Sequence, residues 1–419
     1  MFEFRSGAAR DRSRSAPPWD RRLRTAAAVL VVPLVLTACG TAETEPPEPA
    51  ELVEEAVVKS SEYHQHLLAG DVVYSLRTTG DLAAHDLPGG AQRWTASVRD
   101  LTGPSGSSSE LAMTARAGLL VVTGPEGTTV HDAVTGRTLW TGPDRFERFT
   151  ATTGLVSAPI PADVELDNDG RGMHAVRAVD LATGAELWTS PPVYHWAPPT
   201  AADVVAVWTE DRSVETRDAR TGAVRGRHDA TPGGPTPMPV VGAGLVAVQE
   251  DTAVTGYDPD TLTPRWRTTV PAGVRVVGNC GTYLCLLSGG TETGFLDAGT
   301  GGPVGGTLRF GLPLDWSGHV VTDPAATGQR AIVDPRTGDA AVDLTDWPVV
   351  SAPTRTVAPL VAARDADPDG GMVIAVVQPG ETSAREFKSV PYKLVDCYPS
   401  ETHVACRTDA DELRVWRYR

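Results

Sequence analysis

One pattern constrains this chain more than any other: an aspartate, Thr-Gly three and four residues on, and a tryptophan at the eighth position. "HDAVTGRTLW" places Asp132, Gly136 and Trp140 in this order, and "VDLATGAELW" repeats it with Asp180, Gly184 and Trp188. Partial copies surround these two. "HDLPGGAQRW" holds Asp86 and Trp94, "RDARTGAVRG" holds Asp218 and Gly222, and "YDPDTLTPRW" holds Asp258 and Trp266. "LDAGTGGPVG" carries Asp297 and Gly301, and "VDPRTGDAAV" carries Asp334 and Gly338. Successive aspartates lie 46, 48, 38, 40, 39 and 37 residues apart. A period of about forty is that of a four-stranded propeller blade.

Local physics favours the same reading. An apolar run enters the aspartate, whose carboxylate can accept hydrogen bonds from turn amides, and the glycine supplies a positive φ. The chain then reverses as a hairpin, and the outgoing strand carries the tryptophan to where it can pack between neighbouring blades. Further strand-like runs precede each turn, among them "DVVYSL", "AGLLVVTG", "DVVAVWTE", "AGLVAVQE" and "TYLCLLSG". Two strands before the turn, one after it and a more variable outer strand would complete a blade. With 42 Gly and 34 Pro punctuating short strands, the expected class is all-β.

The seven phased copies resemble the pyrroloquinoline-quinone-like repeat family, whose docking motif has the form A-x-D-x-x-T-G-x-x-x-W. The resemblance runs from about Asp71 to Arg419. It implies a β-propeller, with eight blades favoured over seven. The segments around "MVIAVVQPGETSAREF" and "HVACRTDADELRVWRYR" keep the strand rhythm without the signature. Ring closure would pair the last strands with the mature N-terminus, removing exposed sheet edges. "AELVEEAVVKSSEY", Ala50 to Tyr63, fits either a short helix or that closing strand.

Three parts are therefore expected: a signal at 1–38, a linker at 39–69 and the propeller at 70–419. Arg21, Arg22 and Arg24 precede an apolar run from Ala26 to Ala38, too short for the roughly twenty residues of a membrane span. The run ends in "LTACG", which resembles a bacterial lipobox and marks Cys39 as the lipidated first residue of the mature chain. Such a lipid would anchor an exported protein to the outer face of the cell membrane. "GTAETEPPEPAE", Gly40 to Glu51, reads as an extended acidic spacer. Without residues 1–38 the chain holds thirty basic and fifty acidic side chains, a formal charge of −20 that disfavours nucleic acid as a partner.

With Cys39 assigned to the lipid, four cysteines remain. Cys280 and Cys285 bracket one turn and Cys397 and Cys406 another, so two cross-strand disulfides are expected in an oxidising compartment. Neither pair has the short spacing of a zinc knuckle.

Candidate chemistry is sparse. Quinoprotein dehydrogenases of the resembled family are longer, carry two adjacent cysteines and hold a metal beside a catalytic aspartate. No Cys-Cys pair occurs in this chain. "DADPDGG", with Asp365, Asp367 and Asp369, begins like a calcium loop but has Val376 where the bidentate Glu belongs. "DNDGRG", Asp167 to Gly172, and the His64/His66 pair are weaker still and read as an exposed loop and a solvated stretch. Five tryptophans outside the repeat position, Trp196, Trp208, Trp316, Trp347 and Trp416, are the ones free to line a ligand surface. The expected function is a non-catalytic interaction platform: a monomer without metal or cofactor that binds another envelope protein or peptide. The resembled family also includes a propeller lipoprotein of the outer-membrane barrel-assembly machinery that binds no quinone. A quinone-dependent dehydrogenase or a small-ligand sensor using the central funnel is the alternative.

Overall fold

The second and third strands of each repeat show why this sequence stacks sheets face to face. Val72–Arg77 is buried at its first five positions, Leu119–Gly124 at its last five and Val204–Thr209 at its first five. Continuous burial, rather than alternation, means that both faces of the sheet are covered. The core accordingly lies between sheets: Leu76, Leu82 and Trp94 of one repeat share a cluster with Leu120, Val122 and Ala133 of the next.

The computed structural model describes residues 51–59, 63–103, 110–159, 173–197, 203–229, 238–288, 292–308, 314–316, 319–321, 330–351, 359–366, 371–378, 381–387 and 389–418. The signal, Cys39, "DNDGRG" and the centre of "DADPDGG" lie outside them, as do the side chains of His64 and Trp316. Glu48–Arg419 forms one compact unit.

Among the described residues the sheets are antiparallel and built in fours. Seven are four-stranded, and one eight-stranded sheet joins two such groups through a single pairing, His174 with Val193. The groups therefore number nine, not the eight expected. The count rises because the signature-free tail carries two groups: Val349–Ser351 through Arg385–Glu386, and Leu394–Pro399 through Glu412–Tyr418. The chain is a β-propeller. The expected strand order within a blade also needs correction: the Asp-Thr-Gly turn joins the third strand to the fourth. The tryptophan strand is thus the outermost, and the variable strand is the innermost.

The last group is completed from the far end of the chain. Leu52–Lys59 is a strand, not a helix and not part of a linker, and it pairs antiparallel with Glu412–Tyr418, Leu52 opposite Tyr418. Its register repeats that of an ordinary blade. Val130 faces Trp140 and His131 faces Thr138, leaving Leu139 as a bulge; Val415 faces Ala56 and Trp416 faces Glu54, leaving Glu55 as a bulge. Ala56 thus takes the tryptophan position and Arg417 the aspartate position. In three repeats the bulged residue is an arginine paired with the motif aspartate: Arg93 with Asp86, Arg225 with Asp218 and Arg265 with Asp258. The closing blade keeps this pair with its charges exchanged, Glu55 to Arg417 at 2.8 Å. Glu55 also meets His403 at 3.0 Å, and Glu54 meets Arg414 at 2.7 Å.

The exchanged pair gives a direct test. Glu55→Arg and Arg417→Glu should each lower stability by about 1 kcal/mol through like-charge contact, and the double exchange should recover most of that loss. Urea melts of the four proteins measure the coupling.

Candidate interaction site

Each repeat turn is held by its own aspartate. Asp132 Oδ1 accepts from the N–H groups of Val134 at 3.1 Å and Thr135 at 2.8 Å, and from the Thr135 hydroxyl at 2.8 Å. Asp180 does the same with Ala182 and Thr183, all at 3.0 Å. Asp218 holds Arg220 and Thr221, Asp258 holds Asp260 and Thr261, Asp297 holds Thr300, and Asp334 holds the Arg336 amide. Asp86, whose turn lacks the threonine, engages Arg93 at 2.5 Å.

The tryptophans reach out of their own repeats. Trp94 Nε1 donates to the carbonyl of Ala133 at 3.2 Å, Trp140 to Leu181 at 2.8 Å, Trp188 to Ala219 at 3.0 Å and Trp266 to Ala298 at 2.8 Å. In every case the acceptor directly follows the aspartate of the next copy. The N–H of that same residue donates to the turn between the first and second strands of its own blade. Ala133 reaches Gly118, Leu181 reaches Thr152, and Ala219 reaches Asp203, each at 2.9 Å.

Under each indole lies the glycine of the next copy. A Cβ on Gly136 would stand 2.4 Å from Trp94, on Gly184 2.8 Å from Trp140, on Gly222 2.6 Å from Trp188 and on Gly301 2.3 Å from Trp266. The glycine therefore has two reasons: a φ near +70° and a ring lying on its α-carbon. Sequence reasoning supplied only the first, because the second depends on the neighbouring repeat.

This coupling explains the imperfect copies. The Asp218 repeat has Gly226 in place of tryptophan, and the next repeat has Leu262 in place of glycine. Leu262 is buried and keeps the left-handed turn conformation at φ +49°. Gly226 makes room for it, since a Cβ there would fall 2.7 Å from the Thr261 carbonyl carbon. Large and small residues have exchanged sides of one seam. Arg225 strengthens that seam, bound to Asp218 and reaching Asp260 of the next turn at 2.7 Å.

Four of these carboxylates are held below the usual carboxylate range. Arg225 chiefly, opposed by desolvation and aided by Thr221, lowers Asp218 to about 2. Asp132 is lowered by Thr135, and Asp258 by Arg265. For Asp180, desolvation pushes upward but is outweighed by the Thr183 and Ala182 hydrogen bonds and by Arg220. Acids so engaged hold turns together and are poorly suited to proton transfer.

Both expected disulfides are present. Cys397 and Cys406 are directly opposed across two strands with Cα atoms 4.0 Å apart. Cys280 and Cys285 join the strands either side of their turn, at 5.7 Å. Of the five tryptophans outside the repeat position that were free to line a ligand surface, Trp196, Trp208, Trp347 and Trp416 are buried.

A cavity of about 620 Å³, which no sequence pattern announced, opens beside the innermost strands of the closing, first and second blades. Gln65, His66, Leu67, Arg116, Tyr398 and Thr402 are among its lining residues. His66 Nδ1 lies 2.8 Å from the Ser75 hydroxyl, which is wholly buried and unable to meet a substrate. Among the described residues no cluster of three His, Cys, Asp or Glu has metal-site geometry.

Two measurements test the interlock. Gly184→Ala should destabilise by about 2 kcal/mol or more, through the strained φ and the displaced Trp140 ring, and Trp140→Ala by about 3–5 kcal/mol. Asp218 is depressed in the fold, so its contribution is present above pH 4 and lost as pH falls toward 2. Melting curves of the wild type and Asp218→Asn should therefore differ at pH 6 and converge near pH 2.

Residues 172–345 match the family model described as outer membrane protein assembly factor BamB, a span holding the aspartates from Asp180 to Asp334. No curated protein matches the chain. Among solved structures, BamB from Moraxella catarrhalis is 12% identical, covering 88% of this chain and 98% of that one with a TM-score of 0.40. A quinohemoprotein alcohol dehydrogenase from Pseudomonas putida HK5 is 11% identical, covering 88% and 76% with a TM-score of 0.41. A eukaryotic initiation factor is 12% identical, covering 84% and 96% with a TM-score of 0.49. Residues 172–345, with five of the seven phased aspartates, are thus similar to the pyrroloquinoline-quinone-like repeat family of β-propellers.

Proposed function

We propose that this protein is an exported lipoprotein, anchored through Cys39, whose propeller binds another envelope protein or peptide without catalysing a reaction. One observation carries the reading: the repeat's acids are consumed in holding their own turns and its tryptophans in joining blade to blade, which leaves a rigid disc displaying hairpin turns on both faces. Two buried disulfides fit an oxidising compartment. The description of the matching family, an outer membrane assembly factor, supports an envelope role. The cavity beside Arg116 and Tyr398 favours a second reading, a small-ligand sensor or quinone-dependent enzyme.

Titration of residues 40–419 with pyrroloquinoline quinone plus calcium separates the two. The expected result is no retained quinone after gel filtration, together with specific cross-links to an envelope protein in cells. Retention of one quinone per chain, abolished by Tyr398→Ala, would overturn the scaffold reading.

A further inference from the structure

Three inner strands, Tyr63–Ala69, Ala112–Arg116 and Leu394–Pro399, line one cavity along their length. Its wall runs from Gln65 to Gly70, from Ala112 to Arg116 and from Cys397 to Thr402. The turns at the ends of these strands share one level. Ala133 N–H donates to Gly118 O, two residues past Arg116, at 2.9 Å; Leu87 N–H donates to Asp71 O, beside Gly70, at 2.8 Å; Tyr418 N–H donates to Thr402 O at 3.1 Å. Ala133 and Leu87 each follow a motif aspartate, and Tyr418 follows Arg417, which takes that place in the closing blade. The cavity therefore reaches the face that carries the repeat turns, where Gly70, Glu401 and Thr402 are exposed, and extends inward to Gln65 and Ala112. From Gln65 to Gly70 the extended backbone covers about 17 Å. Spread over about 17 Å, the 620 Å³ leaves a cross-section of about 36 Å². One extended chain, packed at strand and sheet spacings, occupies about 48 Å². The space has the shape of a single strand.

We infer that this cavity takes one extended peptide segment of about five residues, apolar at its middle and with a carboxylate at the Arg116 end. This rests on the peptide-binding role proposed above and gives it a site. Half-buried Leu67, Ala69 and Met113 supply apolar surface along the wall. Gln65, Thr114, Tyr398 and Ser400 supply the polar groups that a peptide backbone needs once it leaves water, and that an alkyl chain of the same shape would strip of hydration without replacement. Burial chiefly, aided by Asp396 and opposed by Arg407, raises Tyr398, which keeps its hydroxyl protonated and able to donate. Charge decides the end group. Arg116 is the one Lys or Arg among the lining residues and is half-buried, whereas Glu401, the one Asp or Glu, is exposed. Water screens the exposed charge, while the half-buried one acts through a lower dielectric, so the site favours an anion. A free C-terminus and an Asp or Glu side chain both present that carboxylate.

The test passes a library of random pentapeptides, made once with free and once with amidated C-termini, over the full-length protein in phosphatidylcholine nanodiscs. Retained peptides are identified by mass spectrometry. The expected result is at least fivefold enrichment of carboxylate-ended peptides with apolar central residues, relative to Ala112→Trp, which fills the cavity from an exposed position of its wall. Arg116→Gln should abolish the enrichment. Loss on amidation identifies the carboxylate as a chain terminus, and survival only with a terminal Asp or Glu identifies it as a side chain. Enrichment that persists in Ala112→Trp, or in Arg116→Gln protein that melts as the wild type does, would overturn the assignment; if Arg116→Gln melts early, Ala112→Trp alone decides. Retention of hexanoate but of no peptide would also overturn it. No enrichment, with cross-links to an envelope protein in cells undiminished by Ala112→Trp, would sink the site and leave the binding role standing. Absence of those cross-links in the wild type would sink the role itself.

Discussion

The interaction on which this fold depends is the reach of one repeat's indole onto the next repeat's turn. A single residue, the one after the motif aspartate, accepts that indole N–H through its carbonyl and ties its own inner hairpin through its amide. Rim strand, neighbouring turn and inner turn are joined at one residue. Because the ring stacks on a glycine α-carbon, the contact has no slack, and the positive φ that shapes the turn also clears the space. Buried area, hydrogen bond and backbone conformation are satisfied together, which is how locally consistent choices come to specify one packing.

The same logic runs through the departures from the pattern. Gly226 and Leu262 keep the volume of a seam constant while exchanging which side is large. Glu55 and Arg417 keep an ion pair while exchanging its signs, and Ala56 stands where a tryptophan would, against Gly90. The closing blade is thus assembled from two distant pieces of chain by the rules that build every other blade. Its ion pairs fasten a strand that would otherwise leave an unpaired edge.

For function, the consequence is a division of labour. Residues that recur are structural, so the binding role proposed above would fall to residues that differ between repeats, such as exposed turns and the wall of the cavity near Arg116 and Tyr398. A propeller of this kind supplies rigidity and surface, and its chemistry must be sought outside the motif.

The sequence by itself determined the all-β class, the period of forty, the turn at each aspartate and the pairing of four cysteines. All of these are local, involving residues within a few positions or recurring at a fixed spacing. It left open whether Ala50 to Tyr63 is helix or strand, it undercounted the four-stranded groups, and it left Trp196, Trp208, Trp347 and Trp416 free to line a surface when they are buried. Those questions turn on contacts between residues far apart in the chain. Glu54 and Arg414 are 360 positions apart, and no local pattern encodes their meeting. Tertiary structure decided which strand closes the ring and why the motif glycine must be glycine, because each depends on a neighbour supplied by a distant part of the chain.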